Sequence, residues 1–233
     1  MVTVVLTLMC QDGLVIGADT QITDSSVGMS YPGRKLHALG EHGAWGGSGA
    51  RSVQLDLKRI FADAPAAILE GEDVGREIQE RVLPVLRHHY DNYITEIPGE
   101  GKRDGTPAAF VLAAGYSRGE PFIVEINPHG MVSRYEDIGF HAVGSGAPMA
   151  QQAGALLAHF QMKERSVDHG VVAAVRVIDA LAKTSPSVGG ELDVYRITPE
   201  GAQELDEAEV EEARRHAKRW EDLEQKALDD LFD

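Results

Sequence analysis

Met1 to Cys10 and Leu14 to Asp19 are apolar runs on either side of Gln11-Asp12-Gly13, a pattern that predicts a β-hairpin closed by an Asp-Gly turn. A polar, glycine-containing connection follows from Thr20 to Gly33. Arg34 to Leu39 and Gly43 to Gly47 predict a second strand pair around Gly40-Glu41-His42. Gly46-Gly47-Ser48-Gly49 then runs into a helix marked by Val53, Leu55, Leu57, Ile60, Phe61 and Ile68, which ends near Gly71. Asp73 is placed to N-cap a second helix with Val74, Ile78, Val82, Val85, Leu86 and Ile94 on its inner face, and Pro84 inside it predicts a kink.

Pro98 to Pro107 is rich in glycine and charge and predicts a flexible loop. A strand meander is expected over Ala108 to Gly115, Pro121 to Ile126, Met131 to Tyr135 and Phe140 to Val143. Gly144-Ser145-Gly146 breaks it and opens a third helix through Met149, Ala153, Leu156 and Leu157. Ser166 or Asp168 caps a fourth helix, with Val171, Val175, Ile178 and Leu181. The turn Ser185 to Gly190 leads into a strand from Leu192 to Ile197, and Pro199-Glu200-Gly201 turns the chain toward its tail. Strands do not alternate singly with helices, which argues against a doubly wound parallel sheet. Two antiparallel sheets, each covered by a helix pair, fit better. The expected class is α+β: a four-layer αββα sandwich over residues 1–203, with an extra amphipathic C-terminal helix over 204–233. That helix carries His216, Trp220, Leu223, Ala227 and Leu231 at helical spacing.

Composition narrows the picture. The 233 residues suffice for one large domain, and 43% hydrophobic with 25% charged residues is ordinary for a globular chain. The net charge of −15 argues against nucleic acid or an anionic membrane as partner. Residues 204–233 hold 12 acidic and 5 basic side chains, so they supply −7 of that charge. No apolar run is long enough to span a membrane, and the first residues lack the basic and small-residue features of a secretory signal. The single cysteine, Cys10, reads as a strand residue in a reducing, cytoplasmic setting. His42 and the pair His88-His89 stand in no cluster with metal-ligand spacing and read as exposed histidines. Gly46 to Gly49 lacks the Lys-Ser/Thr pair that a phosphate-binding loop requires. No metal or cofactor is expected.

Candidate chemistry begins at Thr3. A threonine at a chain terminus would carry a hydroxyl and an α-amino group on one residue. Taken singly, the other polar residues have plain readings. Asp19 ends a strand as a turn former, and Lys35 is a solvated surface cation. Ser145 caps a helix, and Ser187 sits in a turn. Taken together, Thr3, Asp12-Gly13, Gly17-Ala18-Asp19, Arg34-Lys35-Leu36, Gly46 to Gly49, Gly144-Ser145-Gly146 and Ser187 with Gly189-Gly190 resemble, in order and spacing, the proteasome-type β subunits of the N-terminal nucleophile hydrolases. The resemblance covers about Thr3 to Gly201.

The resemblance implies a threonine endopeptidase. Thr3 would be nucleophile and base, since a terminal amine with a reference pKa of about 7.7–8.0 is partly neutral near pH 7. Lys35 would be the cation beside it and Asp19 the partner of Lys35. Gly46 would offer a backbone N–H to the oxyanion, and Ser145 and Ser187 would hydrogen-bond around the amine. The resemblance also implies protein or peptide substrates, identical subunits closed into a ring, and an unfoldase ATPase as a partner.

The chain departs from the family pattern at four places. Met1-Val2 precede Thr3 where the family carries a glycine, so cleavage of the Val2–Thr3 bond is required. Val4 and Val5 replace threonines. Thr184 or Ser185 stands where the family has an aspartate. The stretch from Lys35 to Gly46 is one residue shorter, at the wall around Ala44 and Trp45. A non-catalytic ring or scaffold subunit of the same fold is therefore the alternative, with a small-molecule amidase behind it.

Overall fold

The opening hairpin consists of β1 (Val5–Met9) and β2 (Leu14–Asp19), antiparallel in register from Val5↔Ala18 to Met9↔Leu14. A computed structural model of the protein describes residues 3–24, 29–96, 98 and 107–232. Alternation in β1 sorts its side chains between two interfaces. Val4, Leu6 and Leu8 face a helical layer, and Val5 faces a second sheet. Asp12, in the hairpin turn, also accepts a 2.6 Å hydrogen bond from the Val167 N–H. That bond caps α5 (Val167–Thr184) and ties the turn to the outer layer.

The first sheet runs β10-β1-β2-β11-β12, with β10 (Phe140–Val143), β11 (Leu192–Thr198) and β12 (Gly201–Glu204). The second runs β5-β6-β7-β8-β9, from β5 (Leu36–Ala38) and β6 (Gly43–Gly49) through β7 (Ala109–Ser117) and β8 (Glu120–Ile126) to β9 (Val132–Arg134). Every pairing in both is antiparallel. Three hydrophobic clusters correspond to the three seams of a four-layer stack. One lies between the sheets, around Val5, Ile16, Leu36, Leu112 and Tyr195. A second packs the second sheet against α1 (Arg51–Asp63), α2 (Pro65–Leu69) and α3 (Val74–Asp91), around Trp45, Phe61 and Ile78. The third packs the first sheet against α4 (Ala147–His159), α5 and α6 (Glu207–Asp229). This is the αββα sandwich expected from the element order.

The differences from the sequence reading are local. Phe140–Val143 leaves the expected meander and pairs with β1 in the other sheet, from Val5↔Val143 to Leu8↔Phe140. The Thr20 to Gly33 connection contains a two-stranded ribbon, β3 (Gln21–Asp24) with β4 (Met29–Pro32), and its residues 25–28 lie outside the described residues. The first helix is broken at Ala64, because Pro65 disfavours helical backbone in the residue before it. Asp73 caps α3 through the Gly75 and Arg76 N–H groups, and α3 ends before Ile94, which is 71% exposed. The loop expected between Pro98 and Pro107 lies, apart from the prolines themselves, outside the described residues. Strand β12 continues to Glu204, and Leu205 is buried in the same core as α4 and α5.

The C-terminal helix forms with a full capping box between Asp206 and Glu209. Its inner stripe shares only Trp220 with the expected one. Val210, Ala213 and Ala217 are buried and Trp220 packs beside them. Leu223 and Leu231 are 58% and 66% exposed, and the His216 side chain is 58% exposed. The contact with α5 therefore runs from Val210 to Glu224, close at its start where small residues allow approach and continued by Trp220 and Glu224 against Arg176, and the last turn extends past it.

Candidate active site

The segments that lead into β1 and β5 and the turn after α5 converge on Asp19, at the C-terminal end of β2. Its Oδ1 accepts hydrogen bonds from the Thr3 hydroxyl at 2.9 Å, the Val4 N–H at 3.0 Å and the Lys35 ammonium at 2.7 Å. Its Oδ2 accepts from the Gly189 N–H at 3.1 Å. Thr3 and Asp19 are wholly buried, and Lys35 is 4% exposed. A carboxylate so enclosed is sustained by this set of donors, since an unpaired buried charge is costly. Burial pushes the Lys35 ammonium below its ordinary range; the charge and hydrogen bond of Asp19, and then the charge of Asp193, oppose that shift.

Thr3 is held from its other side by the turn after β10. Ser145 Oγ lies 3.1 Å from the Thr3 nitrogen, which donates to it, and 3.4 Å from the Thr3 carbonyl oxygen. The Gly146 N–H donates to that same carbonyl at 3.1 Å. Gly144 has φ +102, and a Cβ there would meet the Thr3 carbonyl oxygen at 2.3 Å. Glycine thus lets this turn close on Thr3. Met1 and Val2, the residues whose removal the nucleophile reading requires, lie outside the described residues.

Gly46 is buried in β6, opposite Leu36 in the register with β5. A Cβ on it would come within 3.1 Å of the Lys35 carbonyl oxygen and 3.0 Å of Val5 Cγ1, so it packs against the backbone that carries Lys35 and against β1. Ser187 is half-buried in the turn after α5 and, among the described residues, makes no side-chain hydrogen bond to Thr3. That turn reaches the site by its backbone, through Gly189. Thr184, at the end of α5, turns its hydroxyl back to the carbonyls of Ala180 and Leu181 at 3.3 and 3.2 Å.

Two contributors went unnoticed in the sequence. One is the Gly189 N–H, whose only signal was the Gly189-Gly190 pair. The other is Asp193, whose carboxylate accepts from the Lys35 N–H at 3.4 Å. Among the described residues no group of three or more His, Cys, Asp or Glu is arranged to hold a metal ion. His89 is half-buried and bonds Asp56 at 2.9 Å. No helix of the described residues is long and apolar enough to cross a membrane. A cleft of about 650 Å³ between α4, α5 and α6, lined by Leu156, Arg176 and Trp220 among others, does not include the Thr3 group.

The family model described as "Proteasome subunit" matches residues 2–197. The chain belongs to the proteasome subunit family. Its curated relatives include "Proteasome subunit beta 2" of Pyrococcus furiosus, 28% identical over 204 residues that cover 88% of this chain and 91% of that one. "Proteasome subunit beta type-10" of Mus musculus is 27% identical over 202 residues, 86% of this chain and 67% of that one. Among solved structures, Anbu (ancestral beta-subunit) from Yersinia bercovieri superposes with TM-score 0.72 at 17% identity, covering 98% of this chain and 97% of that one. The Anbu (Gly-1) mutant from Hyphomicrobium sp. strain MC1 gives 0.71 at 16% identity, with the same coverage. These likenesses show a proteasome β-type chain with the fold of the N-terminal nucleophile hydrolases.

Proposed function

We propose that the chain is a threonine-type peptidase subunit of a self-compartmentalising, proteasome-like ring. It hydrolyses peptide bonds of unfolded proteins through Thr3, made N-terminal by removal of Met1-Val2. The observation that carries this reading is the single carboxylate oxygen, Asp19 Oδ1, shared by the Thr3 hydroxyl and the Lys35 ammonium.

With Thr3 at the terminus, its neutral amine takes the hydroxyl proton as Oγ1 bonds to the substrate carbonyl carbon. Lys35, kept against Asp19, places positive charge beside the oxygen that is losing its proton. The Gly46 N–H receives the oxyanion. The protonated amine then passes its proton to the leaving amine as the C–N bond breaks, which leaves an ester on Thr3. Water hydrolyses that ester with the amine again as base. Ser145, already on the Thr3 nitrogen, orients that amine, and Ser187 lies in the neighbouring turn. Family membership supports identical subunits in a ring, an unfoldase ATPase as feeder and a cytoplasmic location.

Intact mass of the purified protein, with hydrolysis of fluorogenic peptides, tests the proposal. The expected result is a chain beginning at Thr3, with activity lost in Thr3→Ala and Lys35→Ala. An active protein that retains Met1 or Val2 overturns it. The residues ahead of Thr3 favour a second reading, a non-catalytic ring subunit, which predicts retained Val2 and assembly without hydrolysis.

A further inference from the structure

Lys35 is held at both ends by carboxylates from two neighbouring strands. Its ammonium meets Asp19 on β2 at 2.7 Å. Its backbone N–H meets Asp193 Oδ2 on β11 at 3.4 Å. In the register of these strands Asp19 pairs with Leu192, and Asp193 pairs with Ala18. The sheet therefore fixes the spacing between the two carboxylates, and the lysine bridges them.

Lysine delivers its charge on a flexible four-carbon stem. Where that charge sits depends on the backbone that launches it. Lys35 lies just before β5, in the connection from the exposed strand β4, and has no ladder of its own to fix it. The neighbouring anchor upstream is the Gly33 N–H, bonded to the Thr20 carbonyl at 2.8 Å. Asp193 supplies the anchor at the strand start.

We infer that Asp193 is a positioning residue for Lys35: its carboxylate clamps the backbone at the start of β5 so that the ammonium meets Asp19. The catalytic meaning of the clamp rests on the Thr3 reading above; the clamp itself does not. Burial raises the Asp193 carboxyl above its usual range. The backbone hydrogen bonds from Lys35 and Leu36, and the charges of Arg34 and Lys35, draw it back. Arg34 is engaged elsewhere, in an ion pair with Glu204 on β12. The groups that bear on Asp193 are thus Arg34, Lys35 and, on its own strand, Tyr195, with uncharged Ala18 across on β2.

Amide hydrogen exchange of the full chain, resolved at Lys35 and Leu36, tests the clamp without requiring turnover. Asp193→Ala is expected to accelerate exchange there about tenfold, the scale of one lost hydrogen bond. Asp193→Asn keeps an acceptor and is expected to stay closer to the parent chain. In hydrolysis assays Asp193→Ala is expected to lower kcat about tenfold with KM held. Asp193→Asn is expected to move the pH profile to lower pH, because removing a negative charge eases deprotonation of the nearby cations. Should Asp193→Ala fail to fold, Asp193→Glu, which moves the carboxylate by one methylene, carries the same comparison. Unchanged exchange in Asp193→Ala, or equal acceleration in the alanine and asparagine variants, overturns the inference. A parent chain that hydrolyses nothing while the exchange effect stands overturns the proposed function and supports the clamp.

Discussion

The Lys35 ammonium lies 2.7 Å from Asp19 Oδ1, with the two side chains at 1% and 0% exposure. Such a pair is weak evidence of stability in itself, because desolvation offsets the attraction. Its sensitivity to the loss of one partner is another matter. Lys35→Met leaves a buried carboxylate with three neutral donors and is expected to destabilise the fold by roughly 3–5 kcal/mol. Adding Asp19→Asn removes the stranded charge while keeping an acceptor for Val4, so the double variant should recover part of the loss. Urea unfolding of the two variants checks this; a double variant less stable than Lys35→Met contradicts it.

His37 provides a pH dependence of definite sign. Burial, followed by the charges of Lys58 and Arg34, lowers its pKa from 6.5 to about 4. Between those values the unfolded chain binds a proton that the folded chain does not. The contribution of His37 is thus present above pH 6.5 and is lost as pH falls toward 4, with a slope of at most about 1.4 kcal/mol per pH unit. Unfolding free energies at pH 7, 5.5 and 4.5 should fall less steeply in His37→Gln than in the parent chain. Parallel slopes would remove His37 from the acid response.

Much of the architecture was legible because its signals are local. The Asp12-Gly13 turn and its flanking apolar runs define the first hairpin, and Asp73 marks the start of α3 by its own side chain. What escaped was set at long range. Phe140–Val143 reads as strand, but its pairing with β1 rather than β9 is set by distant packing, Phe140 and Ala142 against the α4–α6 layer and Val143 between the sheets. The β3–β4 ribbon is polar, and its described β4 is exposed throughout, so no alternation marks it. At the site, the spacing of Thr3, Asp19 and Lys35 suggested their grouping only through family resemblance. Gly189 contributes a backbone N–H, which residue type does not encode. Asp193 depends on the register of β11 against β2, which a sequence does not display.

The third prediction concerns α6. The Trp220 ring stands edge-on to Phe160 at 4.8 Å, and the Arg176 guanidinium lies 4.2 Å from the Trp220 centroid. Arg176 in turn holds Glu224 through two hydrogen bonds, of 2.9 and 2.5 Å. Trp220→Ala removes the ring and the surface on which Arg176 is stacked. A loss of roughly 2–4 kcal/mol is expected for this partly buried side chain. Leu231→Ala, in the exposed turn just past the end of the same helix, should stay within about 0.5 kcal/mol. Thermal unfolding of the two variants separates the docked part of the helix from the exposed segment after it; equal shifts would contradict that division.

Gly144 and Gly119 together test the turn that closes on Thr3. Both have positive φ, +102 and +84, so alanine carries a backbone cost of roughly 1–2 kcal/mol at either position. They differ in what a side chain would meet. At Gly119 nothing lies within 4 Å, whereas at Gly144 a Cβ would press on the Thr3 carbonyl oxygen at 2.3 Å and on Thr3 Cγ2 at 3.0 Å. That carbonyl is where the Gly146 N–H and the Ser145 hydroxyl bind. Relieving the clash therefore moves Thr3 relative to Asp19, or moves Ser145 away from the Thr3 nitrogen. Gly144→Ala is expected to lose more stability than Gly119→Ala and to abolish most hydrolysis by the processed chain, while Gly119→Ala keeps it. Denaturant unfolding and peptide-hydrolysis rates of the two variants check the pair. Equal behaviour of the two would mean that the contact of Gly144 with Thr3 has no influence on the site.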